Sequence, residues 1–357
     1  MDFALSEQQH VLQSSVTSAL AAGFPRQQLH ALIDGAAASG ARTEFDRLEL
    51  WGLPIDPQHG GAGLELIDAA LVTECVGYAS AAVPIVDHWL AALALSRSSD
   101  ERIRADWLPR LAAGQIAGTV ALAEGEGNWF PGEWRLRGEH GRLSGEKWFV
   151  GNPAPGSLIV VGLAGGELGL VRPDAPGIAV TMLDGVDRTR PIARLRFSET
   201  PFVALDCPTG TAERVIDAAL ILTAADAFGG ARRLLDMTTA YLAEREQFGT
   251  RLVNFQAIRH QLANIALEVE PCRALYWFAA HAFDHRPDEC AATAALAKAH
   301  ICDRFLQAAR DCVELHGGIG FTWDYDAHIW LKRAMFDTAV YGSPKRQRER
   351  YADLVGW

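Results

Sequence analysis

The texture of this 357-residue sequence changes twice, from helix-like to strand-like and back, and that order limits the fold more than any other feature. From Ser6 to about Gly114, alanine- and leucine-rich stretches repeat apolar residues at intervals of three and four, as in Ile67, Ala69, Ala70, Val72, Thr73, Cys75 and Val76. Ser6 stands as an N-cap before the first of these helices. Gly35, Gly40, the segment from Pro54 to Gly63, and Pro84 punctuate them. Between Thr119 and Leu205, short β-prone runs at 134–137, 147–150, 158–161, 168–171 and 178–180 are separated by Gly, Pro, Asn and Asp. The stretches 212–243, 254–285 and 289–315 then predict three long amphipathic helices, followed by a helical region from His328 onward. The chain reads as α+β, with an N-terminal α-helical domain over 1–115, a central antiparallel β-barrel or sandwich over 116–206, and a C-terminal four-helix bundle over 207–357.

With 49% hydrophobic residues the chain can bury substantial cores. No stretch approaches the roughly 20 consecutive apolar residues of a membrane span. Its opening residues lack the basic and apolar regions of a signal peptide, so a cytoplasmic protein is expected. The net charge of −11 argues against nucleic-acid binding, which calls for a basic stripe. It does not argue against a phosphate-bearing small ligand, because a few placed arginines can hold phosphates. Six cysteines, at 75, 207, 272, 290, 302 and 312, show no metal-like spacing, and those in helical stretches read as buried thiols. Isolated histidines such as His88 and His281 read as ordinary residues.

Two segments carry chemistry. The first is Glu244-Arg245-Glu246-Gln247-Phe248-Gly249, followed by Phe255-Gln256-Ala257-Ile258, read as a helix ending at Gly249, a short turn, and a helix from Asn254. Arg245 can give a bidentate bond to a pyrophosphate, Gln247 adds amide donors, and Phe248 offers a flat face to a ring. Alone, Arg245 is better read as a surface arginine complementing a helix C-terminus. The second segment is Glu314-Leu315-His316-Gly317-Gly318-Ile319-Gly320-Phe321-Thr322-Trp323, where Gly317 and Gly318 let backbone approach a phosphate, or simply cap a helix.

Together the two segments resemble the acyl-CoA dehydrogenase family, with its Arg-x-Gln-Phe-Gly, Phe-Gln and Gln-x-x-Gly-Gly-x-Gly-Phe-Thr patterns. The resemblance covers nearly the whole chain and includes Trp51-Gly52-Leu53-Pro54, Gly60-Gly61-Ala62-Gly63 and Pro173-Asp174-Ala175-Pro176-Gly177. It implies an FAD enzyme that removes an α-proton and a β-hydride from an acyl-CoA and passes electrons to an electron-transfer flavoprotein. In such enzymes one subunit's β-domain holds the flavin ring, and the neighbour's bundle supplies the arginine and glycine elements.

This sequence departs from the pattern at the base and at the ring. Tyr341 occupies the position of the usual catalytic glutamate, and a phenol with a pKa near 10 is a poor base at neutral pH. The alternative position on the first bundle helix is Ala219. Asp337, one turn before Tyr341, is the nearest acid, with surface solvation expected for it. The family's Thr-Glu-Pro-Gly-Ala-Gly-Ser run reads Ala123-Glu124-Gly125-Glu126-Gly127-Asn128-Trp129. Its Trp-Ile-Thr strand reads Phe149-Val150-Gly151. Three hydrogen bonds lost at about 1 kcal/mol each amount to about a hundredfold in affinity. Glu314 replaces a glutamine expected beside the cofactor, which adds an unfavourable charge. Elements offered to a neighbour's FAD are kept while the chain's own are lost, which resembles the base-deficient subunit of heteromeric actinobacterial enzymes acting on bulky, steroid-type acyl-CoAs. A homologous partner in a hetero-oligomer is therefore expected. The alternatives are a homo-oligomer with another base or a non-redox reaction, and a flavin-free scaffold.

Overall fold

The computed structural model describes residues 4–35, 40–125, 127–151, 153–154 and 156–357; Glu126 of the 123–129 run lies outside them. Six helices come first: α1 (Glu7–Gly23), α2 (Arg26–Ile33), α3 (Gly40–Arg47), α4 (Leu66–Ala79), α5 (Ile85–Ser96) and α6 (Glu101–Ala112). Eight strands follow: β1 (Gly118–Ala121), β2 (Gly138–Glu139), β3 (Arg142–Gly151), β4 (Leu158–Leu163), β5 (Glu167–Val171), β6 (Ile178–Leu183), β7 (Ile192–Pro201) and β8 (Val203–Leu205). Next come α7 (Thr211–Glu244), a hairpin of β9 (Glu246–Gln247) and β10 (Thr250–Arg251), α8 (Gln256–Val269), α9 (Cys272–His285), α10 (Pro287–His316), α11 (Ala327–Ala339) and α12 (Pro344–Val355). The helix, strand, helix order expected from the sequence is the order found. Ser6 caps α1 as read, through a box in which its hydroxyl accepts from Gln9 N–H and Gln9 Oε1 accepts from Ser6 N–H. Among the described residues no helix is long and apolar enough to cross a membrane.

The chain forms two compact units. One comprises 1–34, 70–81 and 220–357. Here the C-terminal bundle has more helices than the four expected. The stretch 254–285 is two helices, because Pro271 brings no N–H to continue α8. Glycines let α4 and α7 touch backbone to backbone: a Cβ on Gly77 would lie 2.0 Å from Asp226 O, and one on Gly229 would lie 2.0 Å from Glu74 O. The buried Glu74 carboxylate at that crossing accepts from Gln13 Nε2 (3.0 Å), Arg232 Nη1 (3.2 Å) and the Tyr276 hydroxyl. Asp226 on α7 takes two bonds from Arg333 Nη1 on α11, at 2.9 and 3.1 Å, both side chains being buried. A buried pair so joined is costly to break from one side, by about 3–5 kcal/mol.

The other unit comprises 35–69 and 82–219 and contains two four-stranded sheets, ordered β1-β4-β5-β8 and β2-β3-β7-β6. Both line one core, which includes Leu143, Val150, Ile159, Val161, Leu195 and Phe197, so the sandwich alternative holds. The pairing is antiparallel except between β1 and β4, which run parallel, against the all-antiparallel expectation. Residues 134–137 belong to no strand, although Trp134 has extended backbone. The N–H groups of Arg135 and Leu136 donate to the Glu124 carboxylate instead of to a neighbouring strand.

Candidate functional site

After α7 the chain does not run helically to Gly249 as its sequence suggests. It leaves the helix at Glu244 and turns back through a two-residue hairpin, with Gln247 opposite Thr250. Phe248 (φ 55°) and Gly249 (φ 74°) both take the left-handed backbone that this tight turn demands. For glycine that is free; for phenylalanine it is a strained choice. Nor does the ring repay it within this chain: Phe248 is 92% exposed, touching Phe255 edge-on at 6.2 Å. Arg245 and Gln247 flank it and are exposed, and the Arg245 guanidinium has no ion-pair partner among the described residues.

The glycine segment closes α10, with Gly317 at φ 65° and open space where a Cβ on Gly317 or Gly318 would stand. An aromatic joint ties it to the end of α7. The buried His316 ring stacks on Tyr241 (4.6 Å) and lies 4.5 Å from Tyr325, while the Tyr241 hydroxyl donates to His316 O at 3.4 Å. His316 Nδ1–H donates to Cys312 O at 2.6 Å, and burial pushes its pKa down, favouring the neutral ring. The two sequence segments are thus brought to one end of the helices, with Ile319, Phe321 and Trp323 exposed nearby in the chain. Glu314, on the last turn of α10, is exposed.

The strand that carries Phe149 looks different. A register shift in β3 between Lys147 and Val150 puts Phe149 in left-handed backbone at φ 54°. Its ring stacks on Trp129, with centroids 5.8 Å apart and planes 25° apart. Ala123 is fully buried, and a Cβ on Gly151 would stand 2.1 Å from Asp87 Oδ2. Beneath them Lys147, fully buried, donates to Glu124 Oε1 (2.6 Å) and Leu122 O (3.1 Å). Burial lowers its pKa to about 8 against the pull of Glu124. Sequence reading missed Trp129 and Asp87 as the side chains occupying this place; a tryptophan in a run of small residues was the available signal.

Neither of the two positions at which the resemblance leads one to expect a base carries an acid. Tyr341 is buried at φ 55°, its carbonyl accepting from Gln347 Nε2 at 2.6 Å, and Ala219 is fully buried. Asp337 is 2% exposed, which overturns the solvated surface position expected for it. At this end of α11 the buried Lys298 on α10 donates to the backbone carbonyls of Asp337 and Thr338 and, beyond the helix, of Gly342.

Comparison with known proteins decides the family. The family model described as Acyl-CoA dehydrogenase, N-terminal domain, matches residues 6–115, and that described as Acyl-CoA dehydrogenase, C-terminal domain, matches 210–355. Acyl-CoA dehydrogenase IpdE2 of Mycobacterium tuberculosis (strain ATCC 25618 / H37Rv) is 31% identical over 303 residues, which are 85% of this chain and 82% of that protein. The chain belongs to the acyl-CoA dehydrogenase family. Two similar solved structures each carry a pair of protein names. The Tcur3481-Tcur3483 steroid ACAD G363A variant is 30% identical, with a TM-score of 0.89 over 98% of both chains. The ChsE4-ChsE5 complex from Mycobacterium tuberculosis is 26% identical, with a TM-score of 0.86 over 100% of this chain and 99% of that one. Acyl-CoA dehydrogenases are FAD-dependent oxidoreductases acting on CH–CH bonds.

Tested against FAD, the two places in this acyl-CoA dehydrogenase differ. An unpaired guanidinium, an exposed ring held in strained backbone and an open glycine turn suit a diphosphate and a planar group. Near Phe149, positions 123 and 151 carry no hydroxyl of their own, the Thr119 hydroxyl is spent on the Gly151 carbonyl at 2.7 Å, a carboxylate blocks a side chain at Gly151, and an indole stacks on the phenyl ring.

Proposed function

We propose that this chain is the base-deficient subunit of a heteromeric FAD-dependent acyl-CoA dehydrogenase for a bulky, steroid-type acyl-CoA, and that Arg245, Gln247, Phe248, Gly317 and Gly318 contact FAD seated in a homologous partner. The observation that carries this reading is Phe248, strained in its backbone and 92% exposed, which makes sense only if something outside the chain covers it. The paired names of the two neighbouring structures, one of them a steroid enzyme, support the partner and the substrate class.

FAD, when bound, accepts the β-hydrogen of the substrate as hydride. This chain's work is then binding and orientation: Arg245 forks onto diphosphate oxygens, Gln247 donates amide hydrogens, and the glycine turn admits the cofactor's backbone-side approach. The α-proton goes to a base on the partner, since Tyr341 and Ala219 stand at this chain's two base positions. Reoxidation falls to an electron-transfer flavoprotein in the cytoplasm.

The test is FAD content of the co-purified complex after gel filtration. Removing a bidentate, charge-assisted contact of about 1.5–3 kcal/mol, Arg245→Ala should weaken FAD about ten- to a hundredfold while the chains stay associated. A variant complex that keeps its full FAD through gel filtration overturns the reading.

A further inference from the structure

The geometry points to Trp129 as a self-inserted plug that closes this chain's own flavin-ring seat to FAD. This rests on the half-site reading above but goes beyond lost hydrogen bonds: it names a side chain that excludes the ring. The loop leading to Trp129 is cinched. Glu124 and Asn128 form an antiparallel bridge, with Glu124 N–H donating to Asn128 O (3.2 Å) and Asn128 N–H to Glu124 O (3.0 Å). The Glu124 carboxylate is fixed in turn by Lys147 and by the N–H groups of Arg135 and Leu136. So short a loop delivers Trp129 back toward β3, where it is buried and its carbonyl accepts from Trp134 Nε1 at 3.2 Å.

On β3 its indole meets Phe149 in a near-parallel stack, 5.8 Å and 25°, within the range of offset aromatic pairs. The phenyl face on which Trp129 lies is taken, and the indole occupies the space beside it that an isoalloxazine would need. Two further features converge on the same spot. Ala123, with no polar atom to offer, is fully buried, and the Asp87 carboxylate stands 2.1 Å from where a side chain on Gly151 would begin. Weak hydrogen bonding alone would leave an open but low-affinity seat. Instead the chain's own aromatic fills it, which fixes cofactor stoichiometry at one FAD per pair of subunits at any flavin concentration.

Titrating the co-purified complex with FAD, and following bound flavin by fluorescence quenching and by absorbance after gel filtration, tests this. The wild-type complex should saturate at one FAD per pair, and Trp129→Ser should open a second site at least tenfold tighter than any second binding by the wild type. Thermal melting and elution volume of the apo complex check that the variant is folded, and Trp129→Phe, which keeps a stacking ring, should stay closed. A folded Trp129→Ser complex without a second site overturns the proposal, as does a wild type that already holds two. Crossing with Arg245→Ala separates the two readings. The newly gained FAD depends on the partner's arginine and should survive Arg245→Ala, whereas the original FAD should be lost. If Arg245→Ala empties the original site and Trp129→Ser opens nothing, the plug fails while the half-site reading stands.

Discussion

His88 shows what a single buried group does to this fold. It sits on α5 with no exposed surface, its Nδ1 accepting from Gly118 N–H at 3.1 Å and its ring edge-on to Trp51 at 5.1 Å. Burial pushes its pKa down to about 4 from an ordinary value of 6.5, because the imidazolium would lose its water. Unfolding returns the ordinary value, so between pH 6.5 and 4 the unfolded chain takes up a proton that the folded chain refuses. Stability is therefore fully present above pH 6.5 and falls as the solution is acidified, by about 2 kcal/mol at pH 5 at 1.36 kcal/mol per pH unit. His88→Gln keeps an acceptor but cannot titrate. Urea unfolding at pH 7 and pH 5 should show the wild type losing about 2 kcal/mol more than the variant; equal losses would remove His88 as the cause. The histidine reads as ordinary from its sequence. Its burial could not be read, since nothing near it in the chain announces that Gly118 will come to meet it.

The β9–β10 hairpin separates what serves the fold from what serves the cofactor. Asparagine tolerates left-handed backbone far better than phenylalanine, so Phe248→Asn should leave thermal stability unchanged or slightly raised. The same change should lower FAD retention in the complex, because the ring is the part that faces outward. A variant that melts lower and binds FAD as well as the wild type would show instead that Phe248 is structural. The hairpin itself was not legible, since Arg245-Glu246-Gln247 continues a good helical composition and only the Phe-Gly pair signals the turn. Elsewhere the pattern was readable in proportion to burial. β4, apolar along its length and buried throughout, stands out in the sequence. β7 does not, although it is paired on both edges: Ala193, Leu195 and Phe197 face the core while Arg194, Arg196 and Ser198 interrupt them, and only the period of two marks it. Local chemistry also misled at 134–137, where a carboxylate eleven residues away in Glu124 takes the N–H groups that a strand would use. The candidate cofactor segments stood out as motifs, but the exposure of Phe248 and the stacking of Trp129 on Phe149 depend on contacts that no motif encodes.

The molecule as a whole has the acyl-CoA dehydrogenase fold, and on the proposed reading it lacks a proton acceptor of its own. Abstraction of an α-proton needs a group within hydrogen-bond reach whose pKa suits the working pH. At the position that the resemblance assigns to the base stands Tyr341, a phenol and so a weak base at neutral pH, 6% exposed. At the other stands Ala219, with nothing to offer. Asp337 is the remaining acid near Tyr341 in sequence, and the structure packs it inward beside the carbonyls that bind Lys298, not at a surface a substrate could reach. This chain purified alone should therefore show no turnover with a panel of acyl-CoAs and an artificial electron acceptor, even with excess FAD. Co-expression with the partner should restore turnover, and the active sites counted by flavin reduction should number one per pair of chains. If the isolated chain turns over robustly, the base lies within it. Tyr341→Phe and Asp337→Asn then identify it, since whichever residue takes the proton loses kcat on substitution while flavin binding is unchanged. A rate that both variants keep, in a preparation free of any partner, would mean that proton abstraction proceeds from a residue neither the sequence nor the fold singles out, and the homo-oligomeric enzyme would replace the heteromer.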